Sequence, residues 1–103
     1  MNATNRNGST PLYYACGRGH IEVVIVLLAR PEIDVNFTNI VGWAPLHSAS
    51  RCGHAKVVTS LLDYPEINVN VVDVRGNTPL HYARKENNLE ITAALLSHPG
   101  IIN

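Results

Sequence analysis

The chain has 103 residues, 46% of them hydrophobic, enough for one small domain with a core of its own. Eight basic residues balance eight acidic ones, so the net charge points to neither nucleic acid nor a membrane surface. No apolar run approaches the roughly eighteen residues of a membrane span, no basic-then-apolar leader opens the chain, and Cys16 and Cys52 are too few for a disulfide framework.

The expected compartment is therefore intracellular and reducing, cytoplasm or nucleus. The Asn-x-Ser/Thr triplets at Asn2, Asn7 and Asn36 accordingly read as turn residues, not glycosylation sites. In chain order, Asn5-Arg6-Asn7-Gly8 has Asn first and Gly fourth, as a type I turn prefers. Thr10 then caps a helix, and Pro11 takes its first position, where a missing N–H costs nothing. Gly19 ends this short helix, with Gly17 helping to break it, because glycine tolerates the left-handed conformation that follows a helix. A second helix is expected over Ile21–Ala29, with Glu22 well placed at its positive end. It must stop before Pro31, since the residue ahead of a proline is pushed out of helical geometry. Ile33-Asp34-Val35-Asn36 alternates apolar and polar residues like a short extended arm.

The same elements return twice. Asn39-Ile40-Val41-Gly42 is the next turn, Ala44-Pro45-Leu46-His47 the next helix start, Gly53 its end, Ala55–Asp63 the second helix, and Ile67-Asn68-Val69-Asn70 the arm. Asp73-Val74-Arg75-Gly76 and Thr78-Pro79-Leu80-His81 open a third unit, with Asn87 ending its first helix and Leu89–Ser97 forming the second, before Pro99. Gly8, Gly42 and Gly76 are 34 residues apart, as are the pairs Leu27-Leu28, Leu61-Leu62 and Leu95-Leu96. The middle unit departs from the pattern at Ala44, which cannot cap, and at Lys56, which sits unfavourably in a first turn. Ala44→Thr is expected to raise stability by roughly 0.5–2 kcal/mol, read as an upward shift of the melting midpoint.

One such unit cannot bury its apolar face alone, but three stacked units share a continuous core. Leu12, Leu46, Leu80, Ala15, Ala49, Ala83 and the leucine pairs are its expected members. Leu62→Ala is expected to cost on the order of 2–5 kcal/mol. The units run over 5–38, 39–72 and 73–103. The first unit's second helix, from Ile21 to Leu28, is apolar nearly all round, which anticipates burial on both sides. The chain is therefore expected to be a slice of a longer array, or to associate end to end with another molecule. The last unit, with Thr92, Ala93, Ser97 and His98, reads as the more self-sufficient end.

The T-P-L-H run, the alanine after it, the Gly-His between helices, the Leu-Leu pair and the Val-Asn of the arm together resemble the ankyrin repeat. The resemblance covers nearly the whole chain. It departs from the family pattern in its 34-residue step, in Tyr13 for His, in Asn87-Asn88 for Gly-His, and in a Pro-Glu exit from the second helix. The resemblance implies an all-α solenoid of helix-turn-helix units with β-turn or hairpin-like connecting loops. It also implies a protein–protein interaction module, not an enzyme, with its contacts on the turn tips and first-helix face.

Carried onto this chain, the tips are Arg6, Asn7 and Ser9, then Ile40, Val41 and Trp43, then Val74, Arg75 and Asn77. The helix-side positions are Gly17, Arg18, Arg51, Cys52, Lys85 and Glu86. Ile40, Val41 and Trp43, with Val72 and Val74 beside them, put apolar side chains where water is expected, either as an interaction patch or folded back on neighbouring turns. Arg6, Arg18, Arg51, Arg75 and Lys85 face one way, with Asp73 and Glu86. Glu22, Glu32, Asp34, Asp63, Glu66 and Glu90 face the other, opposed by Arg30 and Lys56. A neutral total thus conceals a basic palm and an acidic back. The expected partner-binding set is Arg18, Ile40, Val41, Trp43, Arg51, Val74, Arg75, Asn77 and Lys85. The expected partner is an acidic or extended protein segment with an apolar anchor. The alternative is a substrate-recruiting segment of a larger enzyme.

Other chemistries have little support. Zinc needs about four converging ligands, and Cys52-x-His54 is one weak pair. His20, His47, His54 and His81 occupy helix-start and inter-helix positions where the family's histidines satisfy backbone groups. Neither cysteine has an oriented base and third member to make it a nucleophile. The glycines are spaced by repeat and form no phosphate loop. Tyr14 and Tyr82 share a repeat phase and read as core or groove wall, not as a base-stacking platform. About five cations in a neutral chain would hold nucleic acid poorly. No cofactor or metal is expected.

Overall fold

A computed structural model of the chain describes residues 8–102. The turn residues Arg6 and Asn7, and Asn2, lie outside that range. Among the described residues six helices form three pairs: α1 (Pro11–Arg18) with α2 (Ile21–Leu28), α3 (Pro45–Cys52) with α4 (Ala55–Leu62), and α5 (Pro79–Lys85) with α6 (Leu89–Leu96). The first helices stack on one another as an inner layer, and the second helices stack behind them. No described helix is long and apolar enough to cross a membrane.

Local chemistry accounts for the helix bounds. The Thr10 hydroxyl accepts from the Tyr13 N–H at 3.3 Å, and Thr78 from the His81 N–H at 3.2 Å, each with proline following. Ala44 has no such hydroxyl. Instead the ring of His47 turns back, and its Nδ1 accepts from the Ala44 N–H at 3.1 Å. That is the reciprocal half of a capping box, so Ala44→Thr would complete a motif already half formed. Thr10, in the same phase, is as deeply buried as Ala44, so a hydroxyl fits there. At its other end α1 runs straight through Gly17 and stops only at Gly19, whose φ of +71° is left-handed. The expected break at Gly17 does not occur. Each second helix stops one residue earlier than expected, with Ala29, Asp63 and Ser97 as caps.

The arms form no strand among the described residues. Their alternation survives as burial: Ile33 and Val35 point inward, Asp34 outward. Asparagine side chains join successive arms in place of a backbone ladder. Asn36 accepts from the Asn68 N–H and donates to the Glu66 carbonyl, both at 2.8 Å. Asn70 repeats the clamp on the Ile102 N–H and the Gly100 carbonyl, at 2.9 and 2.8 Å.

The core contains Leu12, Leu46, Leu80 and the three phased alanines, with Val24, Val57, Val58 and Ile91 between the helix layers. Only the first leucine of each pair is fully inside. Leu27, Leu61 and Leu95 are buried, whereas Leu28 and Leu62 are half-buried and Leu96 is exposed. The larger truncation cost therefore belongs to Leu61, not to Leu62. At one end of the stack Val23 and Val26 are exposed, so the burial on both sides that their apolar helix anticipates is not supplied among the described residues. At the other end Leu89, Leu96 and Ile102 are exposed.

Candidate partner-binding cleft

The turns that join the pairs set the site. Asn39 and Asp73 occupy the same phase and make the same turn. The Asn39 Oδ1 accepts from the N–H of Val41 and Trp43, at 3.1 and 3.0 Å. The Asp73 Oδ1 accepts from the N–H of Arg75 and Asn77, both at 2.9 Å. Each turn closes on its glycine, Gly42 N–H to the Asn39 carbonyl and Gly76 N–H to the Asp73 carbonyl, both 2.9 Å. Gly42 has φ +80°, and a Cβ there would lie 2.8 Å from the Cα of Asp73. Glycine is thus required both for its conformation and for the close approach of the two turns. The Val74 N–H donates to the Val41 carbonyl at 3.1 Å and locks the turns side by side.

The second heteroatom of each turn acid or amide reaches back 30 residues. Asn39 Nδ2 donates to the Ser9 hydroxyl at 3.2 Å. Asp73 Oδ2 instead accepts from the Trp43 indole N–H at 3.0 Å. The Tyr82 hydroxyl donates to that same oxygen. Asparagine suits a hydroxyl neighbour that can accept, and aspartate suits two neighbours that donate. Burial raises the Asp73 carboxyl, but the donors of Tyr82, Asn77, Arg75 and Trp43 outweigh it and hold the group well below the usual carboxylate range. Asp73 is therefore a saturated structural anion.

Trp43 is fixed by this node, half-buried, edge-on to Tyr82 at 6.4 Å. The Arg51 guanidinium lies over the indole face at 3.9 Å, and 5.8 Å from the Tyr82 ring centre. Val41, Trp43, Arg51 and Tyr82, with Asp73, Val74, Arg75, Lys85 and Glu86, line a cleft of about 380 Å³. A neighbouring hollow of about 330 Å³ contains Ile40, Tyr13 and Tyr14 and shares Val41 and Trp43 as the ridge between them.

Of the nine expected contact residues, six come together in the first cleft: Val41, Trp43, Arg51, Val74, Arg75 and Lys85. Ile40 belongs to the second hollow; Arg18 lines neither, and its guanidinium lies 5.4 Å from the Tyr14 ring centre. The backbone of Asn77 is spent internally. It donates to Asp73 Oδ1, and its carbonyl accepts from the Asp73 N–H and from His47 Nε2, the last at 2.9 Å. Ser9 is buried, not a tip side chain. Trp43 packs back on the neighbouring turn, as one of its two sequence readings expects, and it also lines the cleft. Asp73 and Tyr82 were legible as a turn acceptor and a groove wall, but not as partners of Trp43.

His47 and His54 satisfy backbone groups, with His54 Nε2 3.0 Å from the Gly17 carbonyl. His20 and His81 are exposed. His47 accepts at one nitrogen and donates at the other, which only the neutral ring can do. Burial lowers its pKa from the ordinary 6.5, against the Asn77 carbonyl and Asp73, which raise it; Arg51 lowers it further. Below pH about 6.5 the unfolded chain takes up a proton that the folded chain refuses, so stability present at neutral pH is lost as pH falls. Unfolding free energy is expected to drop from pH 7.5 to pH 5.5 by at most about 1.4 kcal/mol per unit from this group. In His47→Gln the slope should flatten. An unchanged slope assigns the effect elsewhere.

Burial pushes the Cys16 thiol up to about 12, which leaves it without thiolate at neutral pH, whereas Cys52 is exposed. Among the described residues no group of three or more His, Cys, Asp or Glu is placed to hold a metal ion. A wider hollow of about 520 Å³ lies on the back of the stack, between Thr59, Leu62 and Asp63 of one pair and Ala94, Ser97 and His98 of the next.

In comparison with known proteins, the family model described as ankyrin repeats (3 copies) matches residues 1–73 and 33–103. No curated protein matches the chain.

Proposed function

The chain belongs to the ankyrin-repeat family, whose stacks are generally protein–protein interaction modules, and from that premise we propose that it binds an acidic, extended segment of a protein partner in the cleft beside Trp43. The observation that carries this reading is the state of Arg51. Its guanidinium face is stacked on Trp43, and no described residue forms an ion pair with it. Stacking holds the planar fork still while leaving its N–H edge to receive a carboxylate in two parallel hydrogen bonds. Asp73, a carboxylate of the same cleft lining, is already saturated by four donors.

Charge supports an acidic segment. Arg51, Arg75 and Lys85 stand against Asp73 and Glu86 in the cleft lining, which leaves one positive charge for an incoming carboxylate. The exposed acids Glu22, Glu32, Asp34, Asp63, Glu66 and Glu90 lie on second helices and their exits, and would turn an acidic partner away from the back. Exposed Val74 and Ile40, with Val41 between them, offer an apolar anchor site on the tips. A preformed surface of this kind loses little entropy on binding.

The test is capture from native extract, comparing the chain with Arg51→Glu/Val74→Ser after circular dichroism shows both folded. Trp43 is left intact, because its loss would also disturb the Asp73 node. A partner held by the first and lost by the second, by tenfold or more in bound amount, supports the reading. Equal capture by both rejects it.

A further inference from the structure

The turn-to-turn site occurs twice in the stack, one repeat apart and in two chemistries. Ser9, Asn39, Ile40 and Val41 line the hollow of about 330 Å³; 34 residues further on, Trp43, Asp73, Val74 and Arg75 line the cleft of about 380 Å³. The cleft lining carries five charged side chains, and the hollow, among the described residues, carries none. Three differences remove the charge. Val41 stands where the cleft has Arg75, and Gly17 where it has Arg51. Arg51 itself, the counterpart of Lys85, is drawn away over the Trp43 indole.

The polar atoms of the Asn39 turn are spent within the fold. Its Oδ1 accepts from two turn N–H groups, and its Nδ2 donates to the Ser9 hydroxyl. The Tyr13 hydroxyl pairs with Ser48. What remains is apolar: Ile40, 68% exposed, half-buried Val41, and the rings of Tyr13 and Tyr14, set edge to face at 5.6 Å. A charged side chain placed there would lose water with no counter-charge in the lining, whereas an apolar one is favoured by leaving water.

We propose that this hollow is a second subsite of the same interface, and that it takes an uncharged apolar side chain of the partner segment, three residues from the acid held at Arg51. The site rests on the cleft reading and adds the place and class of a second contact. Hollow and cleft are continuous, with Val41 and Trp43 shared between them, so one segment lying along the turn tips meets both. The charged lining of one and the uncharged lining of the other then sort the side chains that the segment presents. Geometry sets the spacing. Packed helices lie about 8–10 Å apart, which is the step from one turn site to the next. In an extended segment of polyproline-II form, side chains three residues apart share a face and lie about 9 Å apart along the chain.

The experiment is selection from a random displayed-peptide library with the full chain as bait, beside Arg51→Glu and Ile40→Lys baits shown folded by circular dichroism. Peptides held by the unaltered chain are expected to carry Asp or Glu and, three positions away, an aliphatic or aromatic residue. Arg51→Glu is expected to lose the acid and keep the apolar residue. Ile40→Lys is expected to keep the acid and to select a second acid in place of the apolar residue. In a selected peptide, Glu in place of the apolar residue is expected to weaken binding to the unaltered chain by roughly tenfold or more, read by fluorescence anisotropy, and to spare binding to Ile40→Lys. An acid selected with no apolar residue, or with one at a distance other than three, overturns the second subsite and leaves the cleft reading standing. An apolar residue selected without an acid overturns the cleft reading and the spacing with it, and selection of neither overturns both. An Ile40→Lys bait that selects the same pair as the unaltered chain overturns the assignment to this hollow alone.

Discussion

Asp73→Ala is expected to lower the unfolding free energy by about 3–5 kcal/mol, among the largest effects of any single side chain in the molecule. The substitution removes one acceptor group and strands four donors. These are the N–H groups of Arg75 and Asn77, the Trp43 indole and the Tyr82 hydroxyl. Two of them hold the turn, and two hold the aromatic wall of the cleft. Asp73→Asn is expected to cost much less, roughly 1–2 kcal/mol. Its Oδ1 can still serve the turn, as Asn39 does one repeat earlier, and the Tyr82 hydroxyl can reverse to accept from the new amide. Only the Trp43 indole, which cannot accept, loses its partner. Urea denaturation followed by circular dichroism and by Trp43 fluorescence measures both variants. Alanine and asparagine costing the same would show that the carboxylate is not the node described here.

Leu61→Ala is expected to cost on the order of 2–5 kcal/mol, and Leu62→Ala no more than about half as much. Leu61 is fully buried, on the face of α4 turned toward the core, and its truncation leaves a cavity that close-packed neighbours fill only in part. Leu62 is adjacent in sequence but about 100° further round the helix, half-buried near the back hollow. Denaturation midpoints of the two variants at equal slope decide the order. Equal losses would mean that the back hollow is filled in solution by something the stack itself does not supply.

The repeat made most of the fold legible. Once Gly8, Gly42 and Gly76 set the step, the caps, the helix ends at Gly19, Gly53 and Asn87, and the buried leucines all follow from local chemistry repeated three times. What the step does not convey is how residues in different repeats answer one another. The Asn39–Ser9 and Asp73–Trp43 contacts are the same contact in two chemistries, each 30 residues long. Read together, the change from Asn to Asp and from Ser to Trp is one change. Read position by position, Trp43 is merely an apolar residue in a wet turn. His47 is a similar case. The missing cap at Ala44 is visible in sequence, but its compensation needs the ring to fold back, a rotamer choice that spacing does not reveal. At Asn77 the sequence shows a tip position, but not that its backbone closes a turn and meets a histidine of the repeat before it.

The central claim is that a protein partner occupies the Trp43–Arg51 cleft and not the back of the stack. Site-specific photo-crosslinking measures this most directly, with a benzophenone side chain placed at Val74, on the rim of the cleft, and separately at Thr59, beside the back hollow. Both positions are exposed, so neither insertion disturbs the core. A partner adduct is expected from Val74, competed away by excess unlabelled chain but not by Arg51→Glu chain, and none from Thr59. An adduct from Thr59 with none from Val74 would contradict it.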